Sequence, residues 1–334
     1  MGAVRRLKNH RPADNPAIFA SLENSMALKI RKHHWRHLAA ATGAMIAMAA
    51  PGHGIGAGPA AQSKYQPASS KAEVRKAAQA GLAAAGLPSL KSSIALVVDL
   101  VDGHAIYGKN VEHVSPIASI TKLMTAMVAL DADLPLEETI VIDQADVDQL
   151  KHTGSRLNVG TGLTRADMLR LALMSSENRA AASLSRAYPG GREAFIAAMN
   201  RKAVEIGMYN TRFIDSTGLS SENVSTAQDL AKMVKAAYEY PLIRQFTTTS
   251  SHEVQTARGR SLQFRNSNGL VKSAEWDIGL SKTGYISEAG KCLVMQAWLN
   301  NKPTIIVLLD SWGKMSRIGD ANRIKHWIET DVLR

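Results

Sequence analysis

The hydrophobic pattern of the chain changes from strand to helix and back to strand, and this order limits the fold more than any other feature. Residues 92–108 read as two strands around Asp102-Gly103, a hairpin turn signal. Residues 116–240 read mainly as helices, residues 251–311 alternate with period two, and an amphipathic helix occupies 318–333. We therefore predict an α+β fold, with one antiparallel sheet built from both ends of the chain and covered by helices.

The middle of the chain carries most of the predicted helices. A buried helix is expected at 116–130 and a weak helix at 143–150, before a polar loop at 152–162. Further helices are predicted at 164–174, 179–188 and 192–206. A capped helix begins after Ser225 and ends before Pro241, because proline restricts the residue that precedes it. An Ala-rich helix at 71–86 precedes the first strand.

The first 60 residues differ in composition from the rest. A basic stretch at 26–37 precedes an apolar run at 38–50 and a segment rich in Gly, Pro and Ala at 51–60. This is the order of a secretory signal peptide, and the apolar run is short for crossing a bilayer. An uncleaved N-terminal anchor is the alternative. We expect an extension and signal peptide at 1–60, a linker at 61–70 and a single domain at 71–334.

Charge and cysteine content exclude several classes of function. The net charge is +11, but residues 1–60 hold eight Lys and Arg against two acids, so the remainder carries about +5. The sequence has no basic run interleaved with aromatic residues, and we predict no nucleic-acid partner; an anionic polymer or a carboxylate substrate fits equally well. The one cysteine, Cys292, lies in an apolar strand and is expected to be an inert core thiol. No metal-ligand spacing is present.

A serine and a lysine lie near the start of the helix predicted at 116–130. Ser119 and Lys122 are three residues apart and share a helix face. A serine hydroxyl becomes a good nucleophile when a base takes its proton, and a lysine whose pKa is lowered by desolvation can be that base. Backbone N–H groups at a helix N-terminus can also face a developing anion. The pair indicates a serine acyl enzyme without a histidine base.

The S-x-x-K pattern alone is weak evidence. A capping serine and a snorkelling lysine explain it equally well. At average composition a chain of this length contains about one or two such pairs by chance. A second copy does occur, at Ser311 and Lys314. Other motifs in the chain are needed to distinguish a catalytic pair from a structural one.

Two further short motifs follow in order. The first is Ser176-x-Asn178, between two predicted helices, and the second is Lys282-Thr283-Gly284, in a predicted strand. Ser176 could join Lys122 in a proton relay, and the Asn178 amide could bind a substrate peptide group. A junction turn is the structural alternative for this motif. A second Ser-x-Asn, Ser221 to Asn223, lies in a turn-rich loop, where a structural role suffices.

The Lys282 motif could serve the substrate in three ways. Its charge would hold Lys122 neutral and attract a substrate carboxylate. Gly284 would let a substrate backbone approach closely, and the strand edge would pair with the substrate as an added strand. A lysine at a strand end is the structural alternative. Three motifs in this order, each in fitting local structure, favour the catalytic interpretation.

Longer stretches around these motifs resemble a known family. Residues 116–126, 175–180, 215–219 and 282–285 are similar to low-molecular-mass penicillin-binding proteins of the D-alanyl-D-alanine peptidase type. Residues 282–295 and 327–330 resemble its endopeptidase branch. The resemblance covers roughly residues 70–334 and implies a β-lactamase/transpeptidase-like fold.

The resemblance also implies roles for the motif residues. Ser119 would attack the carbonyl after a D-alanine and form an acyl-enzyme, with Lys122 as base and Ser176 relaying the proton to the leaving amine. The backbone N–H groups of Ser119 and Tyr285 would form the oxyanion hole. The other residues of the motifs, together with the residue after the third motif, would bind the substrate: Asn178, Lys282, Thr283, Gly284 and Tyr285.

The expected partners follow from the same family. They are peptidoglycan peptides and β-lactam inhibitors, with no metal or cofactor. The expected location is the periplasm, with a peripheral association with the inner membrane.

Three alternatives to an endopeptidase remain open at this point. A D-alanyl-D-alanine carboxypeptidase would use the same chemistry, although the short tail of 50 residues after Gly284 favours the endopeptidase branch. A β-lactamase would need a deacylating carboxylate between the second and third motifs, and Asp215 is interpreted as structural instead. A non-catalytic cell-wall binding protein would not need all three motifs.

Overall fold

The computed structural model describes residues 86–256, 259–313 and 315–332. All of them belong to one unit, residues 70–334. The predicted signal peptide, the linker and nearly all of the helix at 71–86 lie outside the described residues, so this division of the chain stays a prediction. No helix among the described residues combines the length and the apolar composition needed to cross a membrane.

A five-stranded antiparallel sheet forms the centre of the fold. Its strands are β1 Ser92–Asp99, β2 Ala105–Lys109, β9 Asp277–Ile286, β10 Gly290–Leu299 and β11 Lys302–Ser311. They lie in the order β2-β1-β11-β10-β9. The first strand therefore pairs with the last, with Leu96 opposite Val307. The predicted α+β class, with one sheet from both chain ends, is confirmed.

Three short two-stranded sheets lie in the segments that connect the elements of the fold. They are β3 Ser115–Pro116 with β6 Val224–Ser225, β4 Thr139–Val141 with β5 Gly162–Thr164, and β7 Ser251–Gln255 with β8 Ser261–Arg265. The last pair matches the period-two pattern of the sequence.

Helices cover both faces of the sheet. They are α1 Lys122–Asp131, α2 Arg165–Met174, α3 Asn178–Arg186, α4 Gly191–Glu205, α5 Ala227–Tyr238, α6 Pro241–Thr248 and α7 Ser316–Trp327. On one face, residues such as Val294 and Val307 join the core beneath α1 to α6. On the other, Leu293 and Ile306 pack with α7. Because both faces are covered, the central strands are continuously apolar.

Helix α1 lies at the centre of the larger core. Its apolar residues are buried, in agreement with the buried helix predicted at 116–130: Leu123, Met124, Met127 and Val128. Burial of one such side chain contributes about 1.5–3 kcal/mol to the free energy of unfolding. This packing fixes the start of α1, where the first motif lies.

Three boundaries differ from the sequence predictions. Pro241 does not only end a helix: it occupies the first turn of α6, where its missing N–H costs nothing. The weak helix expected at 143–150 is wrong, because Asp143 caps only a single 3₁₀ turn at Gln144–Asp146. The terminal helix α7 begins two residues early and continues as a π-helical turn, Ile328–Val332.

Candidate active site

The three motifs meet where strand β9 crosses the start of helix α1. Strand β9 forms one edge of the sheet and carries the Lys282 motif. At Gly284 a Cβ atom would lie 3.0 Å from both the carbonyl oxygen of Ile117 and the nitrogen of Ser119. A side chain here would push β9 and the serine turn apart by a few tenths of an ångström, so glycine allows their close approach. We expected Gly284 to admit a substrate backbone, and its neighbour in the structure is the serine turn itself.

Ser119 lies on a 3₁₀ turn rather than within the α-helix. The turn spans Ala118–Thr121, and α1 begins at Lys122. Ala118 has a left-handed φ of 48°, which is uncommon for a residue with a Cβ atom. Such a conformation persists only where the surrounding structure holds it, and it is frequent at functional sites. The strained residue directly precedes the candidate nucleophile.

Lys122 is fully buried and its ammonium group contacts three oxygen atoms. Its Nζ lies 2.9 Å from Ser119 Oγ, 2.7 Å from Asn178 Oδ1 and 2.6 Å from the carbonyl oxygen of Thr217. Ser119 Oγ lies 3.4 Å from the same carbonyl. The first two motifs are thus joined through Lys122.

The hydrogen-bonding capacities of these three oxygen atoms determine how a neutral Lys122 amine is oriented. A neutral amine has two N–H donors and one lone pair. The carbonyl oxygen of Thr217 and Asn178 Oδ1 can only accept, so they take the two N–H groups. The hydroxyl of Ser119 is the one neighbour that can donate. In the neutral form, the lone pair of Lys122 is therefore directed at the Ser119 hydroxyl, which is the geometry of a general base.

Burial makes this neutral form accessible. Desolvation lowers the pKa of Lys122 to about 7, while the charges of Asp215 and Glu177 act in the opposite direction. We expected the charge of Lys282 to hold Lys122 neutral. Burial is instead the largest cause, because no water solvates the ammonium ion.

Lys282 and Ser176 form a second buried pair. Lys282 Nζ donates to Ser176 Oγ at 2.8 Å and to the carbonyl oxygen of Thr283 at 2.9 Å. The pKa of Lys282 lies well below its ordinary value, first because of burial and then because of the charges of Lys122 and Arg317. Ser176 has a left-handed φ of 62°, so it is a second strained residue at this site.

The hydrogen bonds of Ser176 differ from those of the predicted proton relay. We expected Ser176 to act with Lys122 on Ser119. In the described part of the chain, the hydrogen-bond partner of the Ser176 hydroxyl is Lys282, not Ser119 or Lys122. The Ser176 hydroxyl is therefore held by the third motif rather than by the first.

The remaining predicted residues line the same edge. Asn178 opens helix α3, and Thr283 Oγ1 lies 2.7 Å from Ser267 Oγ. The side chain of Tyr285 is 59% exposed, and the ammonium group of Lys291 lies 4.3 Å from its ring centroid. All predicted site residues are therefore placed together along one edge strand and the facing helix starts.

Sequence reasoning missed the role of the loop at 215–220. The Asp215 carboxylate accepts hydrogen bonds from the N–H groups of Thr217, Gly218 and Ser220, at 2.6, 2.6 and 3.0 Å. This holds the Thr217 carbonyl against Lys122. The structural interpretation of Asp215 fits these contacts. The Asp-Ser-Thr-Gly turn signal was visible, but a backbone carbonyl leaves no residue-specific signal in a sequence.

Arg317 is a second residue that sequence reasoning missed. Its Nη1 donates to the carbonyl oxygens of Gly284, at 2.7 Å, and Cys292, at 3.2 Å. It thereby ties helix α7 to the strand that carries Lys282. Nothing in its local sequence distinguishes it from the other arginine residues.

The duplicate motifs have structural roles. Ser311 is buried in β11, where its Oγ lies 2.5 Å from Ser92 Oγ, and Lys314 lies outside the described residues. Asn223 is buried and its Oδ1 accepts from the N–H groups of Ile214 and Asp215. Neither touches Ser119 or Lys122.

The single cysteine of the chain, Cys292, is buried in β10. Burial raises the pKa of the Cys292 thiol to about 11, so the thiol is protonated at neutral pH. Across residues 86–332, apart from the undescribed positions, no group of His, Cys, Asp and Glu side chains is arranged to hold a metal ion.

The sequence is similar to those of known proteins. A family model described as D-alanyl-D-alanine carboxypeptidase, Peptidase S11, matches residues 81–313. A D-alanyl-D-alanine endopeptidase of Escherichia coli (strain K12) is 50% identical over 247 residues, which is 74% of this chain and 80% of that protein. A D-alanyl-D-alanine endopeptidase of Pseudomonas aeruginosa is 49% identical over 250 residues, 74% of this chain and 81% of that protein.

A solved structure shows the same fold. The crystal structure of the Streptomyces K15 DD-transpeptidase superposes with a TM-score of 0.67 at 28% identity. The match covers 72% of this chain and 97% of that chain. The expected transpeptidase-like fold is therefore confirmed.

Proposed function

Because the chain belongs to the D-alanyl-D-alanine carboxypeptidase family of serine peptidases, we propose that it is a D-alanyl-D-alanine endopeptidase. It would hydrolyse the peptide cross-links of peptidoglycan through an acyl-enzyme on Ser119. One observation carries the chemistry: the buried amine of Lys122 lies 2.9 Å from Ser119 Oγ. The sequence identities of 49% and 50% with two D-alanyl-D-alanine endopeptidases support an endopeptidase rather than a carboxypeptidase.

The first half of the reaction forms the acyl-enzyme. Ser119 Oγ attacks the carbonyl carbon of the D-alanine on the donor side while Lys122 takes its proton. A base positioned in this way contributes about 10²–10⁴-fold to the rate. The backbone N–H groups of Ser119 and Tyr285 would stabilise the oxyanion of the tetrahedral intermediate. The C–N bond then breaks and leaves an ester on Ser119.

The leaving amine has to gain a proton. Ser176 Oγ accepts from Lys282, so its own hydroxyl hydrogen is free to point toward the substrate. We assign Ser176 as the donor to the leaving nitrogen, and Lys282, which contacts Ser176 Oγ, returns a proton to it. The proton that Lys122 took from Ser119 then replaces the one that Lys282 gave up, so Lys122 is neutral again before deacylation. Water next attacks the ester, Lys122 again serves as base, and Ser119 regains its hydroxyl.

The edge of β9 would bind the substrate. An extended peptide can add to an exposed sheet edge as a further strand, and β9 ends the sheet on this side. Asn178 and Thr283 supply polar groups beside it. Burial lowers the pKa of Lys282, and a carboxylate on the leaving residue would counteract this by favouring the protonated form of Lys282 and pairing with it. β-Lactams would bind at the same edge and acylate Ser119.

Acylation is expected to depend on pH through Lys122. Below its pKa the amine is protonated and cannot accept the Ser119 proton, whereas above it the lone pair is free. The rate constant of acylation by penicillin should therefore rise with pH, with a midpoint at about 7, and then level off. Rates of fluorescent-penicillin labelling over a pH series measure this. A midpoint near the ordinary lysine value of 10.5 would contradict the assignment.

Digestion of defined muropeptides distinguishes the endopeptidase from the other members of the family. Purified protein is given cross-linked dimers and, separately, pentapeptide monomers, and products are identified by mass. We expect the dimer to be cleaved to monomers. Loss of terminal D-alanine from the monomer without dimer cleavage would show a carboxypeptidase instead. Rapid turnover of penicillin would indicate a β-lactamase.

The proposed location is the periplasm, with peripheral association with the inner membrane. Support comes from the basic, apolar and small-residue order of residues 26–60 and from the nature of the substrate. Fractionation of cells that express the full chain, with N-terminal sequencing of the mature protein, tests it. A protein retained in the cytoplasm with residues 26–60 intact would refute the proposal.

A further inference from the structure

A chain of hydrogen bonds leads away from Lys122 on the side opposite Ser119. Asn178 accepts from Lys122 through Oδ1 and donates through Nδ2 to Thr153 Oγ1 at 2.9 Å. The Thr153 hydroxyl in turn donates to Asp148 Oδ2 at 2.7 Å. Neither Thr153 nor Asp148 belongs to a motif. Both lie on the loop between β4 and β5.

Asp148 can act only as an acceptor at this position. Its Oδ1 accepts from the N–H groups of Leu150 and Lys151, and its Oδ2 also accepts from the N–H of Thr153. Partial burial by itself would raise the pKa of Asp148, but these hydrogen bonds lower it below its ordinary value. The carboxylate therefore stays charged at neutral pH.

One fixed acceptor sets the direction of every bond in the chain. Because Asp148 only accepts, the single hydrogen of the Thr153 hydroxyl points to it. The Thr153 oxygen must then accept, which places the NH₂ end of the Asn178 amide toward Thr153. The oxygen end of that amide consequently faces Lys122. The two ends of an amide are nearly equal in size, so packing alone does not choose between them.

We propose that Asp148 and Thr153 are positioning residues, which orient the Asn178 amide and thereby direct the lone pair of Lys122 toward Ser119. This inference deepens the proposed function and rests on it. Asn178 then has a role besides binding substrate: its oxygen occupies one N–H group of the neutral amine. The carbonyl oxygen of Thr217 occupies the other, and only the lone pair is left for the nucleophile.

A reversed amide would inactivate the base in a recognisable way. With its NH₂ end toward Lys122, Asn178 would donate to the lone pair and compete with Ser119. The same contact would stabilise the neutral amine and remove an acceptor from the ammonium ion, so the pKa of Lys122 would fall. The other charged groups that face Lys122 are unchanged: Asp215, Glu177 and Lys282.

A general loosening of the loop would shift the pKa of Lys122 in the opposite direction. Water entering beside Lys122 would solvate the ammonium ion and raise its pKa toward the ordinary value. The direction in which the acidic limb of the pH profile moves therefore separates a reversed amide from a general structural defect.

Thr153→Val tests the proposal. The substitution keeps the side-chain shape and the backbone N–H to Asp148, and it removes only the hydroxyl. We expect penicillin acylation to slow by roughly tenfold or more on the alkaline plateau, as for loss of one oriented buried hydrogen bond. The acidic limb should move to lower pH.

Two variants serve as controls. Thr153→Ser retains the hydroxyl and should restore both the plateau rate and the pH midpoint. Ser155→Ala alters the same loop, where Ser155 Oγ accepts from the N–H of Leu157 at 3.0 Å, without touching Asn178. It should acylate like the unmodified protein. Thermal unfolding of each variant shows whether it is folded.

The outcomes are distinct. A folded Thr153→Val variant with an unchanged plateau, or with its acidic limb moved to higher pH, overturns the inference. Failure of Thr153→Ser to recover overturns it as well. Absence of labelling in the unmodified protein would instead refute the proposed function, independently of these variants.

Discussion

Replacing Ser119 with alanine is expected to abolish covalent labelling by fluorescent penicillin and cleavage of cross-linked muropeptides. The substitution removes the one oxygen that the Lys122 amine contacts and that can also donate a proton to it. Water in its place would lack the positioning of the side chain, which accounts for a large part of enzymatic rate. Labelling is followed by gel fluorescence and hydrolysis by chromatography of the products.

The second S-x-x-K serine provides a matched control. Ser311→Ala should keep full labelling, because this hydroxyl lies in the sheet and contacts Ser92 rather than Lys122. Loss of one buried hydrogen bond is expected to lower the free energy of unfolding by about 1–3 kcal/mol. Equal labelling of the two variants would show that Ser119 is not the nucleophile. Loss of labelling in both variants would indicate that they do not fold correctly.

Much of the site was visible in the sequence because its parts are short local patterns. Ser119 and Lys122 are held by one turn and one helix, and their spacing alone brings them to the same face. The period-two pattern of residues 251–311 predicted that Lys282 lies in a strand, and it lies in β9. The order of strands and helices then fixed one sheet from both chain ends. Each of these inferences needs only near neighbours and the general rules of packing.

Other parts of the site depend on contacts between distant segments. The Thr217 carbonyl reaches Lys122 across 95 positions of sequence, and Thr153 reaches Asn178 across 25. A carbonyl is common to every residue, and a loop threonine is ordinary. The cause of the lowered Lys122 pKa was also misjudged, because the degree of burial is a property of the assembled fold. Sequence patterns predict which groups act, but not which neighbours orient them.

Gly218→Ala is expected to disable the nucleophile although Gly218 takes no part in the chemistry. Gly218 has a φ of +78°, and a Cβ atom there would lie 2.0 Å from the Ala118 oxygen and 2.9 Å from the Ser119 nitrogen. These are backbone atoms and cannot rotate away, so the turn at Ala118–Thr121 has to move. A displacement of about 1 Å at a reacting group can cost 10²-fold in rate. We expect at least a loss of this order in penicillin labelling.

Gly160→Ala separates this steric effect from backbone strain. Gly160 has a similar φ of +85°, but nothing lies within 4 Å of the position of its Cβ atom. It should lose only about 1 kcal/mol of folding free energy from the left-handed conformation and label at the normal rate. Gly218→Ala should lose about 3 kcal/mol, since overpacking adds to the strain. If both variants label equally fast, the turn does not need Gly218 in order to hold Ser119. If labelling falls only for Gly218→Ala, the close packing of the loop at 215–220 sets the position of the nucleophile.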